Sequence, residues 1–307
     1  MRGDWVAASV RVRAMATQRV GAGGARRIAA QPSLAAGLAL LSGTVYGPAT
    51  AGAGSLAAAE RAVRATALWQ LRVLGGWLPQ SGSALARAVA AEYEAENILA
   101  LAAGLAGETA AEPFELGALA TAWPRLREAA SPTELAALLR GSRWGVADVA
   151  GGAALRDLLT LRWWGRLAAL SAPTRPWART AAALTAARVV LVDGTEPSPL
   201  LRHAARPLVG DQWSGAHTLA QLRDALPTSA RGALADVGRV EDLWRAEARL
   251  RATMEADGFR LLRAELPGPS VVLGGLTVLG VDSWRVRAAL AAAAVGAGSS
   301  EVLDAVA

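Results

Sequence analysis

Nearly every residue of this chain favours a helix and very few favour a sheet. Ala makes up about a quarter of the 307 residues, and Leu, Arg and Glu fill much of the rest. These four are good helix formers because their side chains lose little rotamer freedom against the preceding turn. Alternating runs of β-branched residues, the pattern of a half-buried strand, are scarce. Only residues 189–192 and 271–279 look strand-like, and the first is short enough to be one turn of a buried helix. Elsewhere apolar residues recur at spacings of three and four, as in Leu68, Leu71 and Leu74, or Leu85, Val89 and Tyr93. Prolines from Pro48 to Pro267 cut this pattern into helices of roughly 10 to 20 residues. Some breaks carry a start signal, such as Ser131-Pro132-Thr133-Glu134: an N-cap, proline in the first turn and a capping glutamate. The expected fold class is all-α.

The basic residues narrow the chemistry. All 32 are Arg; no Lys occurs. That removes the lysine of a Walker A loop, the strand lysine of a protein kinase and every lysine Schiff base. With Cys 0 there is no disulfide, thiolate zinc site or cysteine nucleophile. The two histidines, His203 and His217, have no spacing that aims both at one metal, and read as surface or interface residues. Phosphoryl transfer, aldimine and thiolate chemistry are therefore not expected, and no catalytic, cofactor-binding or metal-ligating residue is marked. The net charge of +6 sits in a composition dominated by residues with GC-rich codons, so it says little about partners. Residues 1–19 hold Asp4, Arg11 and Arg13 among small apolar residues and lack the unbroken apolar core of a signal peptide. The uncharged stretch 28–59 is broken by Gln31, Pro32, Ser33, Ser42, Thr44, Tyr46 and Pro48 and is mostly Ala and Gly, which argues against a membrane span. The expectation is a soluble cytoplasmic chain.

Length alone suggests about two domains, but an internal repeat suggests three. Residues 37–47 run through a Leu-rich helix to Gly43-Thr44-Val45-Tyr46-Gly47, and residues 135–145 run through another to Gly141-Ser142-Arg143-Trp144-Gly145. Residues 218–228 form a weaker third copy. Each copy is followed by a long helix pattern ending in glycine, over 90–104, 181–194 and 281–296. Three helical units of about 100 residues fit this spacing. Ala/Leu-rich helices also resemble one another without common origin, so both readings stand on pattern alone.

Several residues invite a functional reading, and each has a structural alternative. Glu92, Glu94 and Glu96 form an acidic run, but at about 100° per residue Glu92 and Glu96 share a face while Glu94 turns away. A structural role, capping or an arginine pair, is the better reading. Asn97, on the stripe of Tyr93, reads as a buried residue fixing inter-helix register. Thr44, Tyr46 and Gly47 read as a helix stop with Gly47 in the left-handed C′ position. Gly21-Ala22-Gly23-Gly24-Ala25-Arg26-Arg27 lacks the strand and lysine of a phosphate loop and reads as a flexible interhelical loop. Trp163-Trp164 beside Arg162 and Arg166 could stack bases, but reads as core with snorkelling arginines.

Four stretches in order resemble one family. They are Ser9-Val10-Arg11-Val12-Arg13, Leu40-Leu41-Ser42-Gly43-Thr44-Val45-Tyr46-Gly47, Glu92-Tyr93-Glu94-Ala95-Glu96-Asn97-Ile98 with the sole Asn of the chain, and Trp284-Arg285-Val286-Arg287-Ala288-Ala289-Leu290. Together they resemble the C-type subunit of the bacterial and archaeal V/A-type ATP synthases, whose counterpart in the eukaryotic vacuolar proton pump is the d-type subunit. The resemblance implies a funnel of three similar helical domains around a pseudo-threefold axis, here 1–107, 108–200 and 201–307. It implies a non-enzymatic rotor part, without cofactor, joining central-shaft subunits of the D and F type to the membrane proteolipid ring on the cytoplasmic face. Arg11, Arg13, Thr44, Tyr46, Gly47, Glu92, Glu94, Asn97, Arg285 and Arg287 are the motif residues it marks. The alternative is a basic α-helical protein that binds nucleic acid or acts as a regulatory adaptor.

Overall fold

The computed structural model describes residues 2–146 and 152–305, and none of them lies in a strand. In chain order the helices begin with α1 (Val6–Thr17), α2 (Gly21–Ala29), α3 (Leu34–Ala39), α4 (Gly47–Thr50) and α5 (Leu56–Gly75). They continue with α6 (Ser83–Leu105), α7 (Trp123–Leu126), α8 (Pro132–Arg140), α9 (Gly152–Leu170), α10 (Arg175–Ala187) and α11 (Pro199–Val209). The last are α12 (Leu219–Ala225), α13 (Thr228–Arg231), α14 (Leu243–Leu262), α15 (Pro269–Ala294) and α16 (Glu301–Asp304). Among the described residues no helix is long and apolar enough to cross a membrane. The uncharged stretch 28–59 is divided among the end of α2, α3, α4 and the start of α5.

The chain forms two compact units: unit 1 comprises Met1–Ser83 and Ala248–Ala307, and unit 2 comprises Ala84–Glu247. In unit 1, α15 is the central element and packs against α1, α2, α3, α5 and α16. The strand-like residues 271–279 lie inside this helix, a correction to their sequence pattern. Val271, Val272, Val278 and Leu279 are all buried, and packing on several sides overrides β-propensity in such a helix. Two glycines make the close packing possible. A Cβ on Gly274 would lie 2.5 Å from the Gly258 carbonyl oxygen on α14, and one on Gly275 would lie 2.2 Å from Val12 Cγ2 on α1. The glycine-rich residues 21–27 are also not a loop; they form most of α2, whose Ala25, Ile28 and Ala29 join the core with Leu41, Tyr46 and Leu290. Ala25, Ile28 and Ala29 pack α2 on Val286, Ala289 and Leu290 of α15, and that burial outweighs the entropy glycine loses in a helix.

In unit 2, α9, α10 and α11 pack on one another. Trp163 and Trp164 of α9 are buried with ring centroids 4.5 Å apart, and Trp163 Nε1 donates to the Ala88 carbonyl at 3.0 Å. Residues 188–192 form a single π turn that extends α10, with Val189 buried. Arg188, in this turn, forms ion pairs with both Asp157 and Asp193.

Candidate functional site

A sequence-local turn recurs in both units. Ser33 caps α3 by accepting from the Ala36 amide, and Ser131 caps α8 by accepting from the Glu134 amide. Eight residues after each cap comes a fully buried leucine, Leu41 or Leu139. Three further on, a hydroxyl folds back onto it: Thr44 Oγ1 donates to the Leu41 carbonyl at 2.8 Å, and Ser142 Oγ to the Leu139 carbonyl at 2.7 Å. The same oxygens accept the amides of Tyr46 at 3.2 Å and Trp144 at 3.1 Å. A side chain that bonds its own backbone in this way stops the helix and fixes the direction of the aromatic.

Each aromatic is fully buried and ends on a buried carboxylate. In unit 1 the Tyr46 hydroxyl donates to Asp282 Oδ2 at 3.0 Å, and Asp282 also accepts the Val20 and Gly21 amides, at 3.1 and 2.7 Å, at the start of α2. In unit 2 Trp144 Nε1 donates to Glu94 Oε2 at 3.1 Å. Glu94 Oε1 accepts the amides of Thr121, Ala122 and Trp123 at 2.7, 2.8 and 2.9 Å, and Oε2 accepts the Thr121 hydroxyl. Both carboxylates thus occupy a helix start, α2 or α7, where unpaired amides attract negative charge. Burial pushes the Asp282 carboxyl above the usual carboxylate range, against the opposing pull of Gly21, Val20, Tyr46 and Arg285.

A third copy keeps the frame without the carboxylate. Thr218 caps α12 through the Gln221 amide, Leu226 is buried eight residues on, and Gly232 stands fourteen residues on, as Gly47 and Gly145 do. Arg231 takes the aromatic position and donates to the Leu226 and Asp224 carbonyls at 2.8 and 3.1 Å.

The other motif residues also hold backbone. Arg13 donates to the Leu262 and Ala264 carbonyls at 3.1 and 2.6 Å, which caps the C-terminus of α14. Exposed Arg11 lies over the Trp77 ring at 5.7 Å. Asn97, nearly fully buried, binds Phe114 in both directions: its Nδ2 donates to the carbonyl at 2.9 Å and its Oδ1 accepts the amide at 2.6 Å. It therefore fastens the connecting segment after α6 and not the register between two helices. Tyr93 meets the Phe114 ring edge-on at 5.3 Å. Glu92 and Glu96 are half-buried and do not join Glu94 at its amides. Gly47 does not adopt the left-handed C′ conformation; it is the first residue of α4. Its need for glycine is spatial, because a Cβ would lie 2.4 Å from the Ser42 carbonyl oxygen. Arg285 is 1% exposed and binds Glu255 with both terminal nitrogens, at 2.7 and 2.6 Å, which pushes its pKa further up. Arg287 is half-buried.

Unit 2 also holds a cleft of about 580 Å3. Six arginines line it: Arg143, Arg162 and Arg166, Arg175 and Arg179, and Arg206, with exposed His203 beside them. Three helices supply most of this charge at one-turn spacing, Arg162 and Arg166 on α9, Arg175 and Arg179 on α10, His203 and Arg206 on α11. No carboxylate is among its described lining residues. Arg166 sits 4.0 Å over the ring of Trp144, so the cleft rests on the aromatic whose edge is bound to Glu94. Burial pushes the Arg166 pKa down; Glu94 opposes this and Arg143 adds to it. Sequence spacing displayed each arginine pair but could not show that three helices bring them together.

No protein-family model matches this chain, and no curated protein aligns with it significantly.

Proposed function

We propose that this chain is a non-catalytic central-stalk subunit of a V/A-type rotary ATPase or ATP synthase, which seats the central shaft on the membrane proteolipid ring and couples ATP turnover to ion transport. The observation that carries this reading is the repeated unit: a Ser/Thr-capped helix, a hydroxyl turn, a buried aromatic and a carboxylate that caps another helix start. Thr44, Tyr46, Gly47 and Glu94 are all members of that unit, which supports reading their motifs together. In the proposed fold three helical domains, 1–107, 108–200 and 201–307, surround a pseudo-threefold axis; the full turn occurs in the first two, and the aromatic of each reaches a carboxylate that lies in another domain, Asp282 in the third and Glu94 in the first. A closed ring of repeats has to bring its first and last helices together, and the packing of α1 and α2 on α15 supports such closure. Three repeats and two compact units count different things, since the second and third turns both lie in unit 2.

A coupler transmits torque through interface area and stiff packing and needs no reactive group. Consistent with that role, Arg13, Tyr46, Glu94, Asn97 and Arg285 use their polar atoms to fasten helices and segments. The partners are shaft subunits of the D and F type and the ring, at the cytoplasmic face of the membrane and without a span of its own. Affinity purification of the tagged chain from its native host tests this, with shaft and proteolipid subunits expected in the eluate in fixed ratio. Isolation of an intact, coupled rotary complex without this chain overturns it. The alternative, a basic helical nucleic-acid-binding or regulatory protein, draws support from the arginine cleft; its signature is oligonucleotide affinity that falls steeply with salt.

A further inference from the structure

We propose that the arginine cleft of unit 2 is a binding site for an anion carrying two or more phosphate groups. The inference is independent of the central-stalk reading. Of the six arginines, Arg206 is paired with Asp211 at 3.0 Å and Arg175 donates to the Ala168 carbonyl at 3.2 Å. Arg143, Arg162, Arg166 and Arg179 remain, and among the described residues neither they nor Arg175 have a carboxylate within ion-pair distance. Two of the four bury guanidinium nitrogens that no described group accepts from: Arg162 Nε, and Arg166 Nε and Nη2. These nitrogens are shielded from solvent and out of a ligand's direct reach, so it is the net positive charge of the lining that draws an anion.

Charge and size both select the ligand. One carboxylate or orthophosphate brings about one to two negative charges, whereas a diphosphate brings about three, closer to the charge of the five lining arginines that have no ion-pair partner among the described residues, of which Arg166 is partly offset by Glu94. Planar forks that bind in bidentate fashion suit phosphate oxygens better than point charges do. A cleft of about 580 Å3 is the size of a small-molecule site and exceeds a single phosphate. Its concave form on three helices, with alanines and Gly165 between the arginines, differs from the open basic stripe that tracks a nucleic-acid backbone. Gly165 keeps the cleft clear: a Cβ there would meet nothing within 4 Å, so a larger side chain enters the cleft without disturbing the helix.

Such a diphosphate belongs either to a soluble molecule or to a phosphorylated lipid headgroup. The test is calorimetric titration of the full chain with sodium pyrophosphate at low ionic strength, in the wild type and in Gly165→Glu. Saturable binding to the wild type, weakened at least tenfold in Gly165→Glu with the melting temperature unchanged or raised, supports the site. Arg179→Gln, which leaves Arg166 on Trp144, weakens binding several-fold. Recruitment to vesicles containing a bisphosphorylated phosphoinositide, reversed by pyrophosphate, identifies a headgroup; pyrophosphate binding without recruitment identifies a soluble ligand. No saturable binding up to millimolar pyrophosphate overturns the proposal, as does equal affinity for orthophosphate. Oligonucleotide binding that Gly165→Glu leaves unchanged and pyrophosphate does not displace overturns it in favour of nucleic acid.

Discussion

Tyr46 in unit 1 and Trp144 in unit 2 stand at the same position of the same turn, fully buried, each giving its polar hydrogen to a carboxylate that caps a helix start. The phenol hydroxyl is at the tip of the ring, so the tyrosine ends on Asp282 within the core. The indole N–H is on an edge, which leaves the ring face available, and Arg166 occupies it. One aromatic replacement thus turns a closed core device into a platform beneath a charged cleft. The carboxylates differ in parallel. Glu94, one methylene longer, gathers three amides, a hydroxyl and an indole, whereas Asp282 gathers two amides and a phenol.

The largest expected difference comes from removing the charge. Glu94→Gln turns an amide group toward donors and should cost unit 2 about 4 kcal/mol, read in denaturant unfolding, with the Ala122 and Trp123 amides the first to lose hydrogen-exchange protection. Asp282→Asn should cost unit 1 less, about 2 to 3 kcal/mol, with exchange rising at Val20 and Gly21. The reverse order breaks the ranking by donor number. Next come the aromatics: Tyr46→Phe loses one hydrogen bond, about 1 kcal/mol, while Trp144→Phe also loses volume and the guanidinium platform, about 2 to 3 kcal/mol. Equal losses imply that the cation on the indole face contributes nothing.

The smallest effect is the pH dependence. Because burial raises the Asp282 pKa in the folded chain, the native state holds its proton at a pH where the unfolded chain has released it. Stability of unit 1 should rise as pH falls from neutral through the raised value, and level off below the ordinary carboxylate pKa. Asp157 is raised in the same direction, first by burial, so the Asp282 contribution is the slope that Asp282→Asn removes. An unchanged slope in that variant contradicts a raised Asp282.

Local signals in the chain were readable where one segment decides the outcome. The helical class, the Ser131 cap and the Thr44 turn follow from residues within a few positions of one another. Capping by Glu94 was foreseeable in kind, since a carboxylate turned away from its acidic neighbours needs donors, but its targets 27 to 29 residues onward were not. Asp282 went unmarked although the signal was present: it is the sole acidic residue in the long apolar run of α15, and a buried carboxylate needs partners. The strand-like pattern at 271–279 and the glycine-rich 21–27 misled for one reason. Both read as local backbone preference, whereas tertiary burial decides them: close approach at Gly274 and Gly275 in the first, and the packing of Ala25, Ile28 and Ala29 on α15 in the second. The cleft needs three helices at once, so no window of sequence contains it.

Unit 1 is assembled from Met1–Ser83 and Ala248–Ala307, with Ala84–Glu247 between them. During translation α1, α2 and α5 emerge long before α15, the helix on which they pack. Their apolar faces stay uncovered while unit 2 is synthesised and has all its residues available to fold. A cell making this chain therefore carries a nascent stage in which unit 2 can be finished and unit 1 cannot, and chaperone dependence should fall on the N-terminal helices. Ribosome-bound chains stopped before residue 269 should remain protease-sensitive there, and protection should arrive only once α15 is free to dock.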